Sequence, residues 1–251
     1  MIRVKRKMVL SLIVAMMIVG TTNAYATNLS TAQVSSEKKA SSIQEVINKL
    51  QNNLKPGQMV AYYVPDKKFN PLDRISFAGK GYVAKDYKSH IANAQKLNAP
   101  TLTMPSILPE GYQFKSGIVY LKDPSESSTL YKSLEQELKA QAKKGGKQIY
   151  TKSVKVTESL SIVLQYVKGK TEVDLVATYM EPSKPTDGTP VLPNLTAETI
   201  QINGVECTYT TDSKGKDSLS WYDEDNQIRY TIWAESAKSD VLRFAKLVLA
   251  D

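Results

Sequence analysis

The chain has 251 residues, 41% hydrophobic and 23% charged, with 33 Lys+Arg against 25 Asp+Glu and a formal charge of +8. After Lys7 the basic residues are scattered instead of clustered, which excludes the electrostatic footprint of a strong nucleic-acid binder. One cysteine, Cys207, excludes an intramolecular disulfide, and one histidine, His90, leaves a zinc site dependent on carboxylates, an unusual ligand set.

Arg3, Lys5, Arg6 and Lys7 precede the apolar run Met8 to Gly20, and a short polar stretch then ends in Ala24-Tyr25-Ala26. This is the charged, apolar and small-residue order of a secretory signal peptide over 1–26. It predicts cleavage after Ala26 and a secreted or extracytoplasmic protein, away from ATP and nucleotide cofactors. Cleavage takes away four positive charges and no negative one, so +8 becomes +4 over 225 residues, enough for one large domain or two small ones. The leader has no cysteine for lipid attachment. Left uncleaved, it would act as a membrane anchor, although its apolar run is short for a spanning helix. Residues 27–40 are rich in Ser, Thr and Lys and read as a flexible tether.

A small α+β unit is expected over 41–100. Ser41 or Ser42 caps a helix whose apolar stripe is Ile43, Val46, Ile47, Leu50 and Leu54, ended by Pro56-Gly57. Strands follow at 59–64 and 75–77, and a polar helix at 86–97 stops before Pro100.

A second unit is expected over 104–251. A strand at 112–121 follows the turn Leu108-Pro109-Glu110-Gly111. Ser127 or Ser128 then caps a helix predicted to bury Leu130, Leu134, Leu138 and Ala142, closed by Gly145-Gly146. The β-rich segments 148–156, 160–167 and 171–180 have short polar joints and predict one antiparallel meander. Four prolines within 181–194 predict a surface loop. Asn203-Gly204 predicts a type I′ hairpin turn, and a second hairpin turns at 223–226. A final helix from Ser239 buries Val241, Leu242, Ala245, Leu247 or Val248, and Leu249. Alternating strands with one apolar face, plus amphipathic helices to cover it, give an α+β fold. Its sheet is mostly antiparallel and covered by helices on one face, with the small N-terminal α+β unit beside it.

The chain offers no catalytic constellation. His90 would have to serve any Ser-His or Cys-His mechanism, no Gly-x-Ser-x-Gly elbow exists, and Cys207 falls on a strand as a small buried residue. Asp223, Glu224 and Asp225 crowd one turn with Asp212 and Asp217 nearby, yet without the regular ladder of a calcium loop. Gly169-Lys170-Thr171 joins strand to strand, so it is a hairpin turn and not a phosphate loop. No metal or cofactor is expected. The aromatic residues Trp221, Tyr222, Tyr230 and Trp233 share one hairpin, and outward-facing members could stack on a sugar or a peptide.

The segments Leu108-Pro109-Glu110-Gly111-Tyr112, Ile202-Asn203-Gly204-Val205, Leu219-Ser220-Trp221, Ile228 to Tyr230, and the helix with Leu242, Ala245 and Lys246 occur in a familiar order. Over about 104–250 the chain resembles the bacterial domain of unknown function 4367. That resemblance implies a non-catalytic extracytoplasmic module, often the exported part of membrane proteins related to anti-sigma factors, and supplies no catalytic residues. No zinc-binding domain stands before the leader in this sequence, so a direct transcriptional role is not expected. The expected function is an exported cell-envelope binding or interaction module whose partner is an envelope protein or an anionic wall polymer. The alternatives are an envelope hydrolase using convergent carboxylates on wall glycan or peptide, and a membrane-tethered sensor that keeps its leader.

Overall fold

The computed structural model describes residues 43–180 and 195–250. The predicted leader, the tether, the cap at Ser41 or Ser42 and the proline-rich loop 181–194 lie outside those residues. Two antiparallel sheets carry the fold. The smaller has the order β2 (Ser76–Lys80), β1 (Gln58–Tyr63), β5 (Tyr150–Val154). The larger runs β3 (Tyr82–Ala84), β4 (Gln113–Leu121), β6 (Ser159–Lys168), β7 (Thr171–Tyr179), β11 (Ile228–Glu235), β10 (Lys216–Asp223), β9 (Val205–Asp212), β8 (Leu195–Ile202).

Period-two alternation fixes which side of the large sheet is buried. One transverse row reads Gly117, Leu164, Leu175, Ile232, Leu219, Tyr209 in register across β4, β6, β7, β11, β10 and β9. Helix α2 (Tyr87–Lys96) and helix α4 (Lys238–Val248) supply the cover for this face. Ala94 of α2 and Val241, Phe244 and Ala245 of α4 belong to the same core as Leu164, Tyr166, Leu175 and Leu219. Helix α3 (Thr129–Lys143) packs instead on the small sheet, where Tyr131, Leu134 and Leu138 meet Ala61, Tyr63, Ile75 and Tyr150. Helix α1 spans 43–53 and buries Ile43 against Val64 and Ile149. The α+β class and the antiparallel sheet thus follow the sequence pattern.

Several finer expectations are corrected. The segments 148–156, 160–167 and 171–180 do not form one meander. Only β6 and β7 pair as a hairpin, while β5 pairs with β1. Thr151, Lys152 and Ser153 of β5 are exposed, as suits an outer strand of a separate sheet. Strand β3 in turn pairs with β4, so both sheets combine segments from either side of the 100–104 joint. The buried stripe of α3 is turned by one residue: Leu130 is 47% exposed and Tyr131, facing Phe77 at 6.0 Å between ring centroids, takes the core position. In α4 the residue at the centre of the core is Phe244, while Leu242 and Leu249 lie at its margin.

Two close fits pin the elements. Asn203 and Gly204 have φ of 51° and 81°, the double left-handed geometry of a type I′ turn, and Ile202 pairs directly with Val205. Helix α2 starts where Asp86 accepts the Ser89 amide N–H at 2.8 Å. Its His90 lies fully buried against the backbone of Gly117. The helix that looks polar in sequence is therefore held by its histidine.

Candidate functional site

The β10–β11 hairpin builds two different surfaces. Its register pairs Trp221 with Tyr230 on the helix-covered face, and Ser218 with Trp233 and Tyr222 with Arg229 on the opposite face. The four aromatic residues singled out in sequence are therefore divided, two to each side, because adjacent strand positions point in opposite directions.

On the helix-covered side, the Trp221 and Tyr230 rings stack with centroids 5.4 Å apart and planes 17° from parallel. They form one wall of a cleft of about 310 Å³, completed by Thr101, Leu102, Thr103, Pro105, Val248 and Leu249. The first four come from the segment entering the large sheet, and the last two from the end of α4. Trp221 is only 6% exposed, so it is a core residue with one edge toward the cleft, while Tyr230 is half-buried. Burial raises the Tyr230 phenol above its ordinary range, assisted by Asp223 and Tyr179, so the group stays neutral. No lining residue carries a charge. The cleft can sequester an apolar or ring-shaped group and offer hydroxyls at its rim, and its lining contains no carboxylate, imidazole, amine or thiol.

The other surface of the hairpin is polar and chemically busier. Across it run, in register, Gln165, Asp174, Trp233, Ser218 and Thr210. The Lys216 ammonium lies 3.7 Å from the centre of the Trp233 ring. Gln165 donates from one amide nitrogen to Glu172 at 2.9 Å and to Asp174 at 3.2 Å, and its oxygen accepts from Ser116 at 2.6 Å. Glu172 is also paired with Lys115 at 2.5 Å. Asp174 is 5% exposed, and burial lifts its carboxyl to about 6 against the pull of Gln165, Lys115 and Lys216. Nothing flags this network in sequence except one aspartate inside the apolar run Val173-Asp174-Leu175.

The remaining candidates serve the fold. Both ring nitrogens of His90 lack hydrogen-bond partners, and burial lowers its basicity. Cys207 is fully buried, with its thiol raised by the same cause. Asp212 accepts the amides of Lys214 and Lys216 at 2.8 and 2.9 Å and is held low by those bonds. Asp223 binds Asn226 through both oxygens. Asp217 accepts from the Tyr209 hydroxyl, from Thr211 at 2.9 Å and from the Ala237 amide at 3.0 Å, which fixes the approach to α4. These carboxylates are engaged in turns and helix entry, and they do not converge: among the described residues no three metal-ligating side chains gather. The cleft residues 101–103, 105, 248 and 249 were invisible as a site in sequence, where only the bracketing prolines Pro100 and Pro105 hint at an extended stretch.

Comparison with known proteins returns no matching family model, no matching curated protein and no matching solved structure.

Proposed function

We propose that this chain is an exported, non-catalytic binding module of the bacterial cell envelope, and that the Trp221–Tyr230 cleft is where its partner docks. The observation that carries this reading is a concave apolar site with an aromatic wall and no catalytic side chain. The leader motif of 1–26 supports the extracytoplasmic setting, and the resemblance to the domain of unknown function 4367 agrees with a non-catalytic module. Uncharged lining favours an envelope protein over an anionic wall polymer, which would require cations that this cleft lacks.

The test measures binding of purified chain to isolated cell-envelope fractions and compares Tyr230→Ala with Trp233→Ala. Loss of retention with the first variant and not the second is the expected result. Equal retention by both would remove the cleft from the proposal.

A hydrolase is the second reading. It would use Asp174, whose carboxyl burial lifts to about 6, as the acid, beside Glu172, which pairs with Lys115. The 310 Å³ cleft lies on the opposite face from this pair, and no described helix covers the pair's own face to enclose a substrate. Binding therefore takes precedence. Hydrolysis of wall glycan or peptide that vanishes in Asp174→Asn would reverse that order.

A further inference from the structure

We infer that the cleft takes an extended peptide segment of its partner, which adds its main chain alongside residues 101–103 and inserts one large apolar side chain against the Trp221–Tyr230 wall. This rests on the cleft being the binding site. The segment at its rim behaves as a strand without a sheet. Thr101 and Thr103 are exposed, Leu102 between them is 6% exposed, and Pro105 is buried, the alternation of an extended chain. Pro100 and Pro105 bias Ala99 and Met104 toward the same conformation.

Among the described residues, the backbone groups of 101–103 make no hydrogen bond, whereas their neighbours Ala99 and Met104 bond to Ala94 and to the Tyr87 hydroxyl. A row of free backbone donors and acceptors beside an apolar cleft is the arrangement by which an extended peptide binds. Main-chain pairing gives affinity, and a pocket for an alternate side chain gives selectivity. The volume lies at the small end of ligand cavities and suits one anchoring side chain. An oligosaccharide would ask for amide or charged side chains to bond its ring hydroxyls, and the polar side-chain groups of the lining are two threonine hydroxyls, one tyrosine hydroxyl and the Trp221 indole N–H.

A displayed library of random 12-residue peptides, selected on the full chain, tests this. The expected peptides share one large apolar residue. Methylating the backbone nitrogen beside it should weaken them at least tenfold. Thr103→Pro, which removes a backbone donor without touching the aromatic wall, should weaken them similarly. Trp221→Ala and Tyr230→Ala each remove one ring of the wall and should weaken the peptides, the second serving if the first fails to fold. Bound peptide should also slow amide exchange at 101–103. No enrichment, or binding indifferent to both backbone changes, overturns the inference. Neutral oligosaccharides that bind and are lost in Tyr230→Ala would overturn it while keeping the cleft as a binding site. A concentration-dependent dimer broken by that variant would make a second copy the occupant and overturn it as well. If no ligand of either class responds to Tyr230→Ala, the cleft reading falls with it.

Discussion

Gly117→Ala probes how α2 is anchored to the large sheet. A methyl group at that position would fall 2.7 Å from His90 Cβ and still nearer to Cγ and Nδ1 of the ring. The first of those atoms is fixed to the helix backbone, so no rotation of the imidazole removes the clash and α2 must shift bodily. That movement disturbs Ala94 and Leu97, both in the main core. Overpacking of this kind costs about 1–3 kcal/mol, and a helix displacement belongs at the upper end, about 2–3 kcal/mol. For a chain of this size the melting temperature should fall by about 4–12 °C. Urea unfolding followed by tryptophan fluorescence gives the value. In a His90→Ala background two of the three clashing atoms are gone, so the same glycine change should cost at least about 1 kcal/mol less. A Gly117→Ala protein within about 0.5 kcal/mol of wild type, or equal costs in both backgrounds, would refute the close-packing argument.

Two titrations have opposite signs. His90 has its folded-state basicity lowered by burial, so below its ordinary value of 6.5 the unfolded chain takes up a proton that the folded one refuses. Stability should therefore drop as pH falls below about 6.5, and chemical unfolding of His90→Phe should lack that drop. Asp174 is held up at about 6 against 3.8 ordinarily, so its ionised form burdens the fold above pH 6 and the burden fades as pH falls toward 3.8. Asp174→Asn should be more stable at pH 7.5 by on the order of 2–3 kcal/mol, an advantage gone below pH 4; a flat difference across that range would count against the assignment. Trp221→Ala should cost about 3–5 kcal/mol in urea unfolding because the ring is 6% exposed, and half-buried Trp233→Ala clearly less; equal losses would contradict the division of the hairpin into two faces. Gly204→Ala should cost about 1–2 kcal/mol, since its φ of 81° is left-handed, and no loss would argue against the type I′ turn.

Local physics made much of this fold legible. The Asn203-Gly204 turn was readable because only residues tolerant of positive φ accept that geometry. The cap at Ser128, the burial of Cys207 and the β6–β7 hairpin likewise follow from neighbours in sequence. What required tertiary structure were choices among partners of equal local merit. β5 could pair with β6 nearby or with β1 far away, and packing beneath α3 selected β1. His90 stands on a helix that is polar in sequence, and its buried place exists only because Gly117 of a distant strand leaves room for the ring.

The candidate site divides the same way. Sequence singled out Trp221, Tyr222, Tyr230 and Trp233 because aromatic residues on one hairpin are conspicuous, but it could not say which of them face α4. The cleft appears only when Thr101 to Pro105 and the end of α4 converge on the stacked rings. Asp174 gained its raised carboxyl the same way, from burial that outweighs the hydrogen bond of the Gln165 amide on a neighbouring strand. The sequence by itself determined the class of fold and most of the elements, because those depend on residues a few positions apart. The cleft and the buried acid were decided by long-range packing, because each depends on side chains that only the folded chain brings within reach.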